Sequence, residues 1–225
     1  MKNLLITGTD TDVGKTILTI TLTAYQQKYH GDRRFALMKL MQTGVGDYEL
    51  YRELFDLKQT DEEVTPLRFT APLAPPVAAE KEGRVVDLKK VWQNIINLQS
   101  RSDFLLIEAL GGLGTPVTNE LIVADLARDW RLPTILVAPV KLGAIAQIVA
   151  NVALAQANKV NLLGIVLNCL IPEAENTIND LTPINLIESL TQVPVLGTMP
   201  YLPDFKDLNK LATNASQLDL EKFFL

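Results

Sequence analysis

Six short apolar runs punctuate the chain, at residues 4–9, 35–41, 103–109, 134–140, 161–168 and 193–200. Each is apolar at consecutive rather than alternate positions, so neither face is left for water. Strands of that kind belong in a sheet covered on both sides. Between them, apolar residues recur every three or four positions and predict helices over 15–28, 88–100, 121–130, 144–158 and 184–190, with a shorter helical segment over 47–55. Such alternation predicts an α/β, doubly wound, mostly parallel sheet with helices on both faces. Ligands of these sheets bind beyond the carboxyl ends of the strands. The residues that follow each apolar run are therefore the ones to read for chemistry.

The most apolar stretch, 132–157, is interrupted by Pro133, Pro139, Lys141, Gln147 and Asn151. A membrane helix wants about 20 nearly unbroken apolar residues, so the stretch reads as a buried strand followed by a core-facing helix. The apolar run after Lys2 and Asn3 is too short for the core of a signal peptide. The proline-rich piece 70–80 is apolar rather than Ser/Gly-rich and reads as a packed loop, not a linker. Residues 1–225 are expected to form a single domain.

Composition narrows the function classes. With 48% hydrophobic and 21% charged residues the chain is too apolar to be disordered. Its 21 basic and 26 acidic side chains leave a net charge of −5, without the basic face that nucleic acid or an anionic membrane surface requires. A single cysteine rules out a disulfide framework and suits a reducing cytoplasm. A Cys/His zinc site or a Ser-His-Asp triad would rest on His30 alone, which is most simply a solvated residue at a helix end. Carboxylates, lysines, hydroxyls and backbone amides are left to carry any catalysis.

The segment after the first strand runs Gly8-Thr9-Asp10-Thr11-Asp12-Val13-Gly14-Lys15-Thr16. A loop that opens a helix with Gly-Lys-Thr offers backbone N–H groups and the positive end of the helix dipole to a polyphosphate. Lys15 would reach the β- and γ-phosphates, and the Thr16 hydroxyl would enter the Mg²⁺ shell. Five residues separate the two glycines instead of the usual four. Two acids inside the loop, Asp10 and Asp12, point to an amine-bearing substrate or a metal facing it.

Lys39 lies in the apolar run ALMKLM, where an ammonium is costly unless anions pair with it. Its expected role is to offset charge that develops in phosphoryl transfer. Thr43, just after it, has a hydroxyl able to donate to the same group. The strand Phe104-Leu105-Leu106-Ile107 ends in Glu108, where phosphate-loop enzymes carry their metal-directed acid. Asp47 opens the 47–55 segment and reads equally as a metal ligand or as a helix N-cap. Asn168, ending the fifth strand, suits an adenine edge or a turn. Cys169 beside it reads as a small buried hydrophobe.

Together these residues resemble the dethiobiotin synthetases over essentially the whole chain. The similarity runs through TGTDTDVGKT, KLMQTG, LLIEALGG, APVKLGAI, GIVLN and GTMPYLP, in that order. It implies a Mg²⁺- and ATP-dependent cyclo-ligase that takes 7,8-diaminopelargonic acid and CO₂ or bicarbonate and works as a homodimer. It also implies Lys39 and Lys15 as catalytic and Thr43 and Asp12 as substrate contacts. Gly143 and Ala144 would bind the substrate carboxylate across the dimer interface. Thr16, Asp47 and Glu108 would hold Mg²⁺. The nucleotide would lie on Asp12, Val13, Gly14, Lys15, Thr16, Ile17, Asp47, Glu108, Ala109, Leu110 and Gly111. Its adenine would be held by Asn168, Cys169, Pro200, Tyr201 and Leu202.

Asp12 stands where that family often has glutamate, Leu40 where proline is usual, and Ala109-Leu110 where glycine-alanine is common; Thr43 keeps the hydroxyl of the frequent serine. The alternative reading is a partition-type ATPase acting as a nucleotide switch. Its second loop lysine would fall at Asp10, which argues against it.

Overall fold

A computed structural model describes residues 2–219. The chain begins with β1 (Lys2–Gly8), α1 (Lys15–Tyr29), β2 (Phe35–Lys39), β3 (Gln42–Thr43), α2 (Asp47–Leu54) and the single turn α3 (Asp61–Val64). It continues through β4 (Arg68–Phe69), α4 (Pro75–Lys81), α5 (Leu88–Arg101), β5 (Phe104–Gly112), α6 (Val123–Asp129) and β6 (Thr134–Pro139). Then follow α7 (Ala144–Ala157), β7 (Leu162–Asn168), α8 (Glu175–Leu181), α9 (Ile184–Thr191), β8 (Val195–Met199) and α10 (Leu208–Ala215).

Six strands form one sheet in the order β2-β5-β1-β6-β7-β8, and every neighbouring pair is parallel. β3 and β4 make a separate parallel ribbon of two residues each. From β1 the chain moves to one side for β2 and β5, then crosses to build β6, β7 and β8 on the other. The carboxyl end of β1 therefore lies at the switch point, where an open α/β sheet leaves a crevice.

Consecutive apolar residues in the strands serve two cores. Leu4, Ile6, Leu106 and Val137 point to the face covered by α1 and α10, while Leu5, Leu105 and Ile107 point to the face covered by α5 and α6. Leu136, Ala138, Ile165 and Leu167 extend the second face beneath α7 and α9. α1 is buried over most of its length and still carries threonines. Thr19 and Thr23 bond back to the carbonyls of Lys15 and Thr19, at 2.9 and 2.8 Å, which satisfies hydroxyls that burial would otherwise strand.

Several elements depart from expectation. The strand read over 35–41 ends at Lys39, because beyond Leu40 the chain leaves the sheet and Gln42 N donates to the Leu67 carbonyl at 2.9 Å. The helix read over 121–130 forms at Val123–Asp129. The proline-rich piece is not a loop throughout. Pro75 and Pro76 occupy the first turn of α4, where a fixed φ and a missing N–H cost nothing, and Ala78 and Ala79 are buried beneath it. α3, with its Thr60/Glu63 capping box, α8, and α10, capped by Asp207, had no counterpart in the hydrophobic pattern.

Candidate active site

The loop between β1 and α1 is held closed by its own backbone and by a distant strand. Gly14, the N-cap of α1, has φ +102°, and a β-carbon there would overlap Asn168 Nδ2. Only glycine fits both the conformation and the space. Asn168, buried at the end of β7, donates through Nδ2 to the Val13 carbonyl at 3.2 Å. On the other side the end of β5 closes in: a β-carbon at Gly112 would lie 2.9 Å from the Gly8 carbonyl oxygen. Within the loop, Lys15 Nζ donates to the Asp10 carbonyl at 2.9 Å. Burial holds the Lys15 ammonium below its ordinary pKa, against the pull of Glu108 and Asp47. Asp10 is exposed and accepts from Thr11 N at 2.7 Å; Asp12, at φ +56°, faces the cavity.

Beside this loop lies a compact charge cluster. Lys39 and Glu108 are register partners on β2 and β5, so their side chains leave the same face of the sheet. Lys39 Nζ is 3.0 Å from Glu108 Oε1 and also donates to Asp47. Thr16 Oγ1 lies 2.7 Å from Asp47 Oδ1 and 3.0 Å from Glu108 Oε1, so its single proton serves one carboxylate at a time. Burial alone would lower the Lys39 pKa, but Glu108 and Asp47 outweigh it and hold the ammonium above its ordinary value. For Asp47, burial would raise the pKa; Lys39 and Thr16 overcome it and keep the carboxyl below its ordinary range.

α2 delivers Asp47 and is itself pinned. Asp47 is the first residue of the helix and Gly46 its N-cap, so the capping role belongs to the glycine. The buried Gln42 accepts from Tyr48 N at 2.8 Å and donates to Glu49 at 2.9 Å, while Glu49 accepts from Gly46 N at 2.8 Å. One turn beyond Asp47, Tyr51 is wholly buried and donates its phenol to Glu108 Oε2. Burial and the carboxylates of Glu108 and Asp47 push that phenol well above its ordinary pKa, so it stays a donor.

The cluster opens into a cavity of about 750 Å³. Asp12, Gly14, Lys15, Thr16, Ile17, Lys39, Thr43, Asp47, Glu108, Leu110 and Gly111 line it together. Val13, Ala109, Cys169 and Leu202 instead have side chains buried in the cores, and Gly143, Ala144, Pro200 and Tyr201 stand away from the cavity wall. Burial raises the Cys169 thiol pKa, as fits a packed residue. Sequence reading missed an apolar wall made by Met41, Val45, Leu73, Ala74, Pro75 and Leu170. Two of its parts had a signal, the proline-rich piece and the apolar residues straight after the β2 and β7 strands.

A central parallel strand, a glycine-framed loop and a helix opening on Lys15-Thr16 at the sheet's switch point define a phosphate-loop nucleotide-binding protein. Residues 2–208 match the family model described as an AAA domain. The fold is shared with the MinC:MinD cell division complex of Aquifex aeolicus (TM-score 0.57, 15% identity, 98% of this chain and 88% of that one). A ParA family ATPase of Chlorobium tepidum also shares it (TM-score 0.54, 13% identity, 99% and 96%). Curated relatives are much nearer in sequence. The ATP-dependent dethiobiotin synthetase of Gloeothece citriformis is 60% identical over 99% of this chain and 98% of its own length. That of Crocosphaera subtropica is 55% identical over 100% of both. The chain belongs to the ATP-dependent dethiobiotin synthetase family.

Proposed function

We propose that this protein makes dethiobiotin from 7,8-diaminopelargonic acid, CO₂ and ATP, forming C–N bonds and releasing ADP and phosphate. The observation that carries the reading is the Lys39 ammonium, fixed between Asp47 and Glu108, which with Lys15 and Thr16 line one cavity. One substrate amine captures CO₂ as a carbamate, and a carbamate oxygen attacks the γ-phosphorus of ATP as ADP leaves. The second amine then attacks the carbonyl of the mixed anhydride, expels phosphate and closes the ureido ring. A carbamate is a poor electrophile, and phosphorylation supplies its leaving group.

Each residue has a task in this sequence. Lys15 and Lys39 offset charge on the transferring phosphoryl group from fixed positions. The carboxylates around Lys39 keep it charged, so it acts as an electrostatic clamp and not as a base. Thr43 and Asp12 contact the substrate from the cavity wall. Thr16, Asp47 and Glu108 would hold Mg²⁺. They converge as three oxygen donors of which two are carboxylates, the hard and incomplete set that Mg²⁺ takes with phosphates and water. When bound, the ion neutralises charge on the phosphate oxygens. The loop amides from Asp12 to Ile17 and the backbone from Glu108 to Gly111 bind the phosphates; the adenine lies along Asn168, Cys169, Pro200, Tyr201 and Leu202, of which Cys169 and Leu202, with side chains packed in the cores, offer backbone groups. Gly143 and Ala144 take the substrate carboxylate across a homodimer interface. The reading puts the enzyme in the cytoplasm, in keeping with the unpaired, buried Cys169, and gives it neither nucleic-acid nor membrane partners.

The test is phosphate release from Mg-ATP and bicarbonate, with and without the diamine, in wild type and Lys39→Ala. Release that needs the diamine and collapses in the variant supports the reading. Release indifferent to the diamine overturns it.

A further inference from the structure

Glu108 carries a burden unusual for a carboxylate with no exposed surface. Its Oε1 faces Lys39 Nζ and Thr16 Oγ1, both at 3.0 Å, and is the oxygen turned toward the phosphate loop. Its Oε2 is on the opposite side of the group and has one partner among the described residues, the Tyr51 phenol. A carboxylate free to rotate about its last torsion could present either oxygen, or both, to a cation. One held at Oε2 by a neutral donor can present only Oε1.

The phenol is well placed to do the holding. Tyr51 follows Asp47 by four residues, so one turn of α2 brings both side chains to the same place. The ring is fully buried in the core shared with α1, and α2 is anchored at its start by the Gln42–Glu49–Gly46 bonds. Phenylalanine would fill that space equally well, so packing does not account for the hydroxyl. Replacing the hydroxyl by nothing would leave one buried anionic oxygen unpartnered.

We propose that Tyr51 is a positioning residue, which fixes Glu108 through Oε2 so that Oε1 alone meets the metal. This rests on the reading of Glu108 as a Mg²⁺ ligand, and it concerns the outer partner of that ligand. Outer partners of this kind set the orientation of a metal-binding group, and their loss typically costs roughly 10- to 100-fold in metal affinity or activity.

The experiment compares wild type with Tyr51→Phe by calorimetric titration of ADP, with and without Mg²⁺, and by steady-state kinetics. In wild type Mg²⁺ tightens ADP binding. In Tyr51→Phe the metal-free ADP affinity is kept within about twofold, and the Mg²⁺-dependent gain falls by roughly 10-fold or more. The Mg²⁺ concentration for half-maximal turnover rises by a similar factor, and KM for the diamine stays put. A merely structural role would weaken metal-free and metal-bound ADP affinity alike. An equal Mg²⁺-dependent gain in the two proteins overturns the proposal while leaving the metal reading intact. ADP binding that ignores Mg²⁺ in wild type overturns the metal reading, and the positioning role with it. Should Tyr51→Phe not fold, wild type labelled at the tyrosine Cζ carbons gives a second readout. The Tyr51 resonance, assigned through its nuclear Overhauser contacts with the side chains packed around it in the core, must shift on adding Mg²⁺ to the ADP complex; an unmoved signal overturns the proposal.

Discussion

Asn168 Nδ2 hydrogen-bonds the Val13 carbonyl at 3.2 Å across 155 residues of sequence, and the same amide group packs on the bare α-carbon of Gly14. The end of β7 thus braces the phosphate loop of β1, with β6 lying between the two strands in the sheet. A nucleotide whose phosphates sit on that loop would feel any change at Asn168 through the loop's shape.

This relationship predicts a coupled pair of substitutions. Gly14→Ala meets both the φ of +102° and the Asn168 side chain. Asn168→Ala removes the overlap but loses a buried hydrogen bond, about 1–3 kcal/mol. In the double variant the overlap is gone and only the backbone strain, about 1–2 kcal/mol, remains with the lost bond. Urea unfolding should therefore show the double variant at least about 1 kcal/mol more stable than the sum of the singles predicts. Strict additivity would mean that the two side chains do not meet.

The two active-site lysines are pushed in opposite directions, and pH separates them. Lys15 is held below its ordinary value by burial, so on raising pH the folded state gives up this proton before the unfolded state does. Stability therefore rises with pH in the window just below the ordinary lysine value. Lys39 is held above it by Glu108 and Asp47 against burial. Its stabilising contribution is complete below the ordinary value and is lost as pH climbs through the raised one. The proposed contact of Lys15 with the phosphates needs the ammonium charged, so ADP affinity should fall by about tenfold per pH unit once its lowered pKa is passed. Lys15→Arg, always charged, should flatten that fall. A wild-type affinity unchanged up to the ordinary lysine value would count against the depressed Lys15.

How much of this could be read without coordinates follows the physics of each signal. Lys39 and Glu108 stood out because a charge within an apolar run, or ending one, is anomalous on its own, and the sheet places the two in register. The order of the six strands was legible only as an alternation with helices. Gln42 and Tyr51 carried no such mark. A polar residue or a tyrosine near a helix is ordinary, and their significance lies in partners 7 and 57 positions away. The α4 helix was legible in principle, since paired prolines ahead of two alanines are a helix start. Its apolar, proline-rich composition suggested a loop because composition ignores position within the turn.

Thr16 offers a conservative test of the hydroxyl that faces both carboxylates. Thr16→Ser keeps that group and should retain turnover within about threefold, the small loss reflecting a side chain freer to rotate. Thr16→Ala removes it from the proposed metal shell, and the Mg²⁺ needed for half-maximal turnover should rise by roughly 10-fold or more. Equal Mg²⁺ requirements in the serine and alanine variants would remove Thr16 from the metal shell.

Lys39 does two things that one substitution can separate. In the proposed mechanism it supplies charge for phosphoryl transfer, and in the structure it pairs with Asp47 and Glu108 in a site where Glu108 has no exposed surface. Lys39→Met keeps an unbranched side chain, one atom shorter, and removes the cation, leaving two carboxylates facing each other. Breaking a buried pair in this way costs about 3 kcal/mol, less whatever the partly exposed Asp47 recovers from solvent. If Asp47, Glu108 and Thr16 form the metal site, Mg²⁺ without nucleotide should now stabilise the variant more than it stabilises wild type. The divalent ion takes over the neutralising role that the ammonium held. Thermal unfolding against Mg²⁺ concentration measures the difference, with K⁺ at matched ionic strength as the control for screening. Turnover should stay low even where stability is restored, because the ion cannot also replace the second positive charge on the transferring phosphoryl group. A variant stabilised no more than wild type by Mg²⁺ would show that the two carboxylates do not form a divalent-cation site.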